Sequence, residues 1–195
     1  MIATLPEVVA TLMTAEEFLS LPENGKRDQF LIRGKLWEKP MTYRNPFHSE
    51  LMINLGFLLK AWLRAAGLRS FKVVGGEAGF RLRAEPSTIV GIDVAVVSKD
   101  VGHFIQGKRV VFDGAPILAI EILSPSDRVA EVEAKVDEYL SVGVKQVWIV
   151  SPHFQTVEVY RSNQPPALFT GTAELSVEPD LPGLKFTVAD IFENW

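Results

Sequence analysis

The chain has 195 residues, 47% of them hydrophobic and 23% charged, with a net charge of -4 and no cysteine. That is the size and apolar content of one ordinary folded domain, and it excludes a largely disordered chain. The missing cysteines exclude a disulfide framework, a thiolate nucleophile, a cysteine-ligated zinc and an iron-sulfur centre, so any metal must sit on oxygen or imidazole.

Thr14 followed by Glu17 makes a capping box, and Pro22 with Asn24-Gly25 ends the short helix it opens, so residues 1 to about 25 read as a helical arm on a single domain. Phe30 to Trp37 alternates loosely around Gly34 as a hairpin or edge strand. Asn45-Pro46 then offers a cap with proline at the first helical position, and Leu51, Leu55, Leu58 and Trp62 repeat at helical spacing. Residues 46 to 66 are therefore expected to form a long amphipathic helix closed by Gly67. Phe71 to Arg83 reads as a strand with a turn or bulge at Gly75-Gly76. Residues 89 to 97 and 117 to 123 are nearly continuous β-branched runs, as in central strands covered on both faces.

Ser124 to Asp127 supplies a turn and a cap for a second helix over 129 to 142, with Val132, Val136, Tyr139 and Leu140 inward and Gly143 at its end. Another buried strand follows at 146 to 150, extended by residues 157 to 161. Strand, helix and strand within so short a span form a βαβ unit with parallel strands. After Pro165-Pro166 come short strands, a tight turn at 181 to 184 and a closing helical turn at 188 to 192. The expected fold class is α/β, a small mixed central β-sheet flanked by α-helices.

No apolar run reaches the ~20 residues that cross a bilayer. The start of the chain has no basic residue and an acid at Glu7, unlike a secretory signal. A cytoplasmic protein with no membrane partner is expected.

Two acids break the apolar strands. Asp93 stands in Ile92-Asp93-Val94-Ala95-Val96-Val97, on the face opposite Ile92, Val94 and Val96, and Glu121 stands near the end of the 117 to 123 run. An unpaired carboxylate in either place would cost several kcal/mol, and two on neighbouring strands repel unless a cation, a shared proton, an arginine or backbone N-H groups compensate them. For the pair, an oxygen-ligated hard cation, Mg²⁺ or Mn²⁺, is the favoured reading. Lys135 lies two turns into the following helix, within reach of the strand ends, but Glu131 four residues earlier offers it an ordinary surface salt bridge, which spacing alone favours. Tyr139, one turn on, is expected mainly to pack. Glu77, Glu50 and His48 are further candidates for a metal shell or a general base. No G-x-S-x-G elbow, P-loop or G-x-G-x-x-G is present.

The succession Gly91-Ile92-Asp93-Val94-Ala95-Val96-Val97, Leu118-Ala119-Ile120-Glu121-Ile122-Leu123-Ser124-Pro125-Ser126, Lys135 with Tyr139, and Gly143-Val144-Lys145-Gln146-Val147-Trp148-Ile149-Val150 resembles the bacterial Uma-type restriction endonuclease family, over about Thr14 to Phe192. The resemblance implies the PD-(D/E)XK nuclease fold, restriction-endonuclease-like, and a metal-dependent DNA endonuclease. Asp93, Glu121 and the backbone carbonyl of Ile122 would hold the cation and Lys135 would assist the water or the phosphate. The superfamily's usual lysine two positions after the second acid is absent, since Leu123 stands there; Lys135 matches a variant whose lysine has migrated to the next helix. Phe30 stands where a glutamate is common, leaving Glu38, Glu50 or Glu77 to replace it.

Arg44, Arg81, Arg83, Lys108 and Arg109 are candidate DNA contacts. Trp37, Phe47, Phe104, Phe112 and Trp195, with the family habit, suggest a homodimer, though they can equally be core. The alternative reading is a nuclease-fold module without turnover that dimerises and binds nucleic acid or a protein.

Overall fold

The computed structural model describes residues 12–22, 27–40 and 46–193. The elements run α1 (Ala15–Leu19), β1 (Arg27–Ile32), β2 (Lys35–Pro40), α2 (Pro46–Ala65), β3 (Phe71–Arg83), β4 (Thr88–Ser98), β5 (Gly102–Gln106), β6 (Arg109–Asp113), β7 (Leu118–Ile122), α3 (Val129–Ser141), β8 (Gln146–Ser151), β9 (Thr156–Tyr160), β10 (Ala167–Thr170), β11 (Glu174–Val177), β12 (Leu181–Thr187) and α4 (Val188–Ile191). Among the described residues, one mixed ten-stranded sheet runs in the order β10-β9-β8-β7-β4-β3-β6-β5, with the β1-β2 hairpin joined to β4 through Leu31 and Ile89. The βαβ unit is as expected: β7 and β8 pair in parallel, Glu121 opposite Ile149.

Helix α2 covers one side of the sheet. Leu51, Leu55 and Leu59 are fully buried against Val94 and Val96 of β4, Leu118 and Ile120 of β7 and Trp148 of β8. Truncating any of the three leucines to alanine should cost about 3 kcal/mol. Helix α3 covers the other side, where Val136 and Tyr139 pack with Ile92, Ala95, Val97, Ala119 and Val147. Helix α1, opened by the predicted Thr14–Glu17 capping box, packs Phe18 and Leu19 with Leu31, Ile89 and Val111.

The structure departs from the sequence reading in four places. The sheet is larger than expected, because residues 102 to 113 form a hairpin, β5-β6, that adds to its edge beside β3. Residues 181 to 184 are not a tight turn but begin β12, which pairs with β11 and sends Leu181, Leu184 and Phe186 into the α2-side core. Asp127 does not cap α3; Arg128 occupies that position with no side-chain cap bond, while Asp127 accepts the Ser124 N–H instead. Finally, the alternation over 92 to 97 breaks at Asp93, for Ile92 packs on the α3 side with Ala95 and Val97 while Val94 and Val96 face α2. The neighbouring strand is irregular at the same place. Gly75 pairs with Val94 and Ala78 with Ile92, so β3 carries one extra residue opposite Asp93, a bulge that increases local twist.

Candidate active site

The bulge opposite Asp93 carries Glu77. Gly76 and Glu77 both have positive φ, 80° and 57°, and this left-handed pair swings the Glu77 side chain toward β4. Gly91 on β4 makes the space: a Cβ there would lie 3.2 Å from the Glu77 Cβ. Both residues line an open cleft of about 590 Å³ between the end of α2, the bulge, the β7–α3 turn and the β1-β2 hairpin.

Asp93 and Glu121 project into this cleft from adjacent antiparallel strands. Ladder pairing between those strands stops at Val94–Ile120, and beyond it the Asp93 side chain takes the place of a backbone acceptor. Its Oδ2 receives the Ile122 N–H at 2.8 Å and lies 3.3 Å from Nε2 of His48. Glu121 uses both oxygens: Lys135 Nζ donates to Oε2 at 2.9 Å and the Tyr139 hydroxyl to Oε1 at 2.5 Å. Lys135 and Tyr139 stand one turn apart on α3, so one helix face serves both oxygens of one carboxylate. Lys135 also lies 5.4 Å from the ring centre of Phe30, which is stacked on Trp37.

Burial pushes the Glu121 carboxyl above its ordinary value, and although the Lys135 charge opposes this, the nearby Asp93 charge reinforces it. Burial would lower the Lys135 ammonium, but Glu121 and Asp93 outweigh it and keep the lysine charged. The Tyr139 hydroxyl is driven well up by burial and the same two acids, so it remains a proton donor.

The sequence candidates therefore separate. Asp93, Glu121, Lys135, His48 and Glu77 line the cleft, as does Ile122, and Tyr139 reaches it through its hydrogen bond to Glu121. Glu50 is exposed on α2 and Glu38 is bonded to Arg27 and Gln29; neither lines the cleft. The spacing-based partner of Lys135 is displaced too, since Glu131 is itself buried on the cleft wall beside Arg128, 3.9 Å away. Of the supposed DNA contacts, Arg81 is bidentate to Asp113, Arg83 is paired with Glu138 and Arg109 donates to the Leu21 carbonyl. Neither these nor Lys108 lines the cleft, and Arg44 lies outside the described residues.

Sequence reasoning missed Lys39 as a cleft residue and took Asp127 only as part of a turn and cap; the two bridge the cleft mouth at 2.8 Å. Their only signal was a charged pair separated by 88 residues, which no local pattern exposes. Glu138 was also missed. It is buried on α3 beneath Arg33, Arg83 and Thr88, and it looked like any polar residue of an amphipathic helix.

The family model Uma2, described as "putative restriction endonuclease", matches residues 15–189. The chain belongs to this family. A crystal structure of a DUF820 protein from Anabaena variabilis, titled as a putative nuclease, superposes on this Uma2 chain with a TM-score of 0.74 at 24% identity, covering 92% of this chain and 97% of the other. No curated protein matches the sequence. The Uma2 chain thus has a restriction-endonuclease-like fold and nuclease family membership. Among the described residues of this Uma2 protein no helix is long and apolar enough to cross a membrane.

A hard cation fits the donors. Asp93 and Glu121 offer carboxylate oxygens to one cleft, and the Asp93 charge adds to the cost of ionising Glu121. No three His, Asp or Glu side chains among the described residues form a ready shell, but Mg²⁺ commonly binds through one or two carboxylates and keeps several waters.

Proposed function

We propose that this Uma2 protein is a metal-dependent DNA endonuclease that hydrolyses phosphodiester bonds with Mg²⁺ or Mn²⁺. The observation that carries the reading is the convergence of Asp93, Glu121 and Lys135 in one cleft, with Lys135 on Glu121 although position 123 holds leucine. Asp93 and Glu121, with the Ile122 carbonyl, would hold the cation. When bound, it supplies a Lewis acid that lowers the pKa of a coordinated water and screens charge on the phosphate.

The chain's own groups do the remainder. His48 steadies Asp93, and Tyr139 holds Oε1 of Glu121 so that Oε2 is the oxygen presented beside Lys135. Lys135, kept protonated by its two acids, is a charge for a phosphate oxygen as the attacking water adds to phosphorus and the ester P–O bond breaks. Charge on the cleft wall supports the need for a cation. Asp28, Glu77, Asp127 and Glu131 join Asp93 and Glu121 there, against Lys39 and Lys135, and this excess repels a polyanionic backbone until it is neutralised.

The second reading, a binding module without turnover, is favoured by Leu123 in the superfamily's lysine position. Incubating supercoiled plasmid and single-stranded DNA with purified protein and Mg²⁺ or Mn²⁺, beside Asp93→Asn, decides between them. Metal-dependent nicking that vanishes in the variant supports the endonuclease; DNA binding without nicking and without metal affinity supports the module.

A further inference from the structure

We infer that Lys39 is a phosphate-binding residue of the cleft, held by Asp127 while the cleft is empty and handed over to the DNA backbone when a strand enters. The inference rests on the endonuclease reading above and adds to it the group that receives the substrate at the mouth. Among the described residues that line the cleft there are two lysines and no arginine, against the six acids. Lys135 is committed at the inner end, where it donates to Glu121. Of the two, Lys39 is therefore the one placed to meet an incoming polyanion.

Its present partner lies on the other side of the mouth. Lys39 comes from β2 and Asp127 from the β7–α3 turn, and their side chains, 22% and 18% exposed, meet at 2.8 Å. Burial alone would favour the neutral forms. The contact itself, with the Ser124 N–H on Asp127 and Asp28 near Lys39, holds the carboxyl below and the ammonium above its ordinary value, so the bridge joins two full charges.

The bridge is built so that Lys39 can leave it. Asp127 has a second tie, the Ser124 N–H at 2.7 Å from Oδ2, which keeps the turn in place when the partner of Oδ1 is gone. Asp28, 3.6 Å from Lys39, stands directly opposite it in the hairpin and so travels with it rather than holding it to the turn. Among the described residues β2 pairs with no strand but β1, and β1 meets β4 only through Leu31 and Ile89, so no ladder bond ties the Lys39 end of the hairpin to the sheet. A lysine ammonium is a point charge on a flexible four-carbon stem, which exchanges one anionic oxygen for another without the fixed fork geometry of arginine.

The destination is a phosphate on the Lys135 side. The two ammonium groups are close enough for the Lys135 charge to oppose that of Lys39. A phosphate oxygen between them relieves that repulsion, and a strand whose scissile bond lies at Glu121 carries neighbouring phosphates toward the mouth. The residues singled out from the sequence offer no substitute there. Arg81, Arg83 and Arg109 are engaged elsewhere, Trp37, Phe104 and Phe112 are partly buried in core clusters, and Trp195 lies outside the described residues.

Lys39→Gln and Asp127→Asn delete the same ion pair, so a bridge that served the fold alone would move both variants the same way. In fluorescence anisotropy with a labelled DNA duplex, and Ca²⁺ in place of Mg²⁺ to hold back cleavage, Lys39→Gln should weaken binding about tenfold and lower the slope of log affinity against log salt by about one. Asp127→Asn, which frees Lys39, should instead tighten binding severalfold. Because that gain works through Lys39, adding Asp127→Asn to Lys39→Gln should recover little of the loss, whereas a general charge effect would make the two changes cancel. In plasmid nicking with Mg²⁺ the Lys39→Gln loss should fall mainly on KM. Matched losses in the two single variants, an unchanged salt slope, or cancellation in the double variant would overturn the inference while leaving the endonuclease reading intact. A wild-type chain that neither binds nor nicks DNA would overturn that reading, and the inference with it.

Discussion

Two buried carboxylates meet α3, and they are treated in opposite ways. Glu138, on the helix itself, receives Arg33, Arg83 and the Thr88 hydroxyl. Burial alone would raise its carboxyl, but those hydrogen bonds outweigh it and hold it below the ordinary 4.5. Glu121, reached from the same helix three residues earlier and one later, has a single lysine, a tyrosine and a neighbouring acid, and its carboxyl is held above 4.5. The first acid is fully compensated and fastens α3 to the β1-β2 turn and to β3 and β4. The second is left short of positive charge, in a cleft, beside another acid. A fold has no structural reason to place Asp93 next to Glu121, and perturbed carboxylates in clefts concentrate at functional sites. The contrast thus separates an anchor from a reactive centre on one helix.

The comparison breaks first at the reactive centre. Asp93→Asn should lower metal-dependent DNA cleavage about a thousandfold or more while keeping the amide oxygen as acceptor for the Ile122 N–H. Because it removes one of two repelling acids, its urea midpoint should match or exceed that of the wild type. A folded variant with undiminished cleavage would remove the site from Asp93. Lys135→Ala should cost about a hundredfold in the same nicking assay. Leu123 lines the same cleft, so adding Leu123→Lys to Lys135→Ala should recover about tenfold of that loss if a lysine can act from either element. No recovery would mean that the helix position itself is required.

What the sequence revealed divides along the same line. Asp93 and Glu121 were legible because a carboxylate inside Ile92–Val97 or Ile117–Leu123 is a local anomaly that needs no partner to be noticed. The α2 leucines and the parallel β7-α3-β8 unit were legible for a similar reason, since periodicity and β-branched runs are local. The destination of Lys135 was not, for Glu131 at four residues offered an equally good partner; the structure turns Glu131 to the cleft wall and gives Lys135 to Glu121. Glu138 was invisible because Arg33 and Arg83, which define it, are 105 and 55 residues away. The β5-β6 hairpin escaped because exposed Ile105 and Val110 pair across it, so apolar residues point to solvent and blur the alternation.

At the anchor the expected effect is on stability. Glu138→Gln leaves Arg33 and Arg83 without their charge partner. Both arginines are part-exposed, with side chains 54% and 30% accessible, so solvent takes up some of the loss, and a decrease of about 2 kcal/mol in urea unfolding is expected. Cleavage should fall with it, because α3 carries both Lys135 and Tyr139; in the otherwise unchanged chain Arg33→Lys, which keeps the charge, should retain less of the anchor than its sign suggests, having no fork to share between Glu138 and Ser141.

The smallest effect is the dependence on pH, and its sign discriminates. A carboxyl whose folded pKa lies below its unfolded value stabilises the fold fully above 4.5 and loses that contribution as pH falls through the lower, folded value, as Glu138 must. Glu121, raised in the fold, contributes most when protonated, below 4.5, and its contribution is lost as pH rises through its folded value. In metal-free protein the acid limb of a stability-against-pH curve should therefore flatten in Glu138→Gln and persist in Asp93→Asn, while the opposing slope above 4.5 should shrink in part, and only in Asp93→Asn, where burial still raises Glu121 but the Asp93 charge that reinforces it is gone. An acid limb unaltered by Glu138→Gln would mean that the arginines hold α3 without the carboxylate, and the distinction between anchor and reactive centre would fail at its structural end.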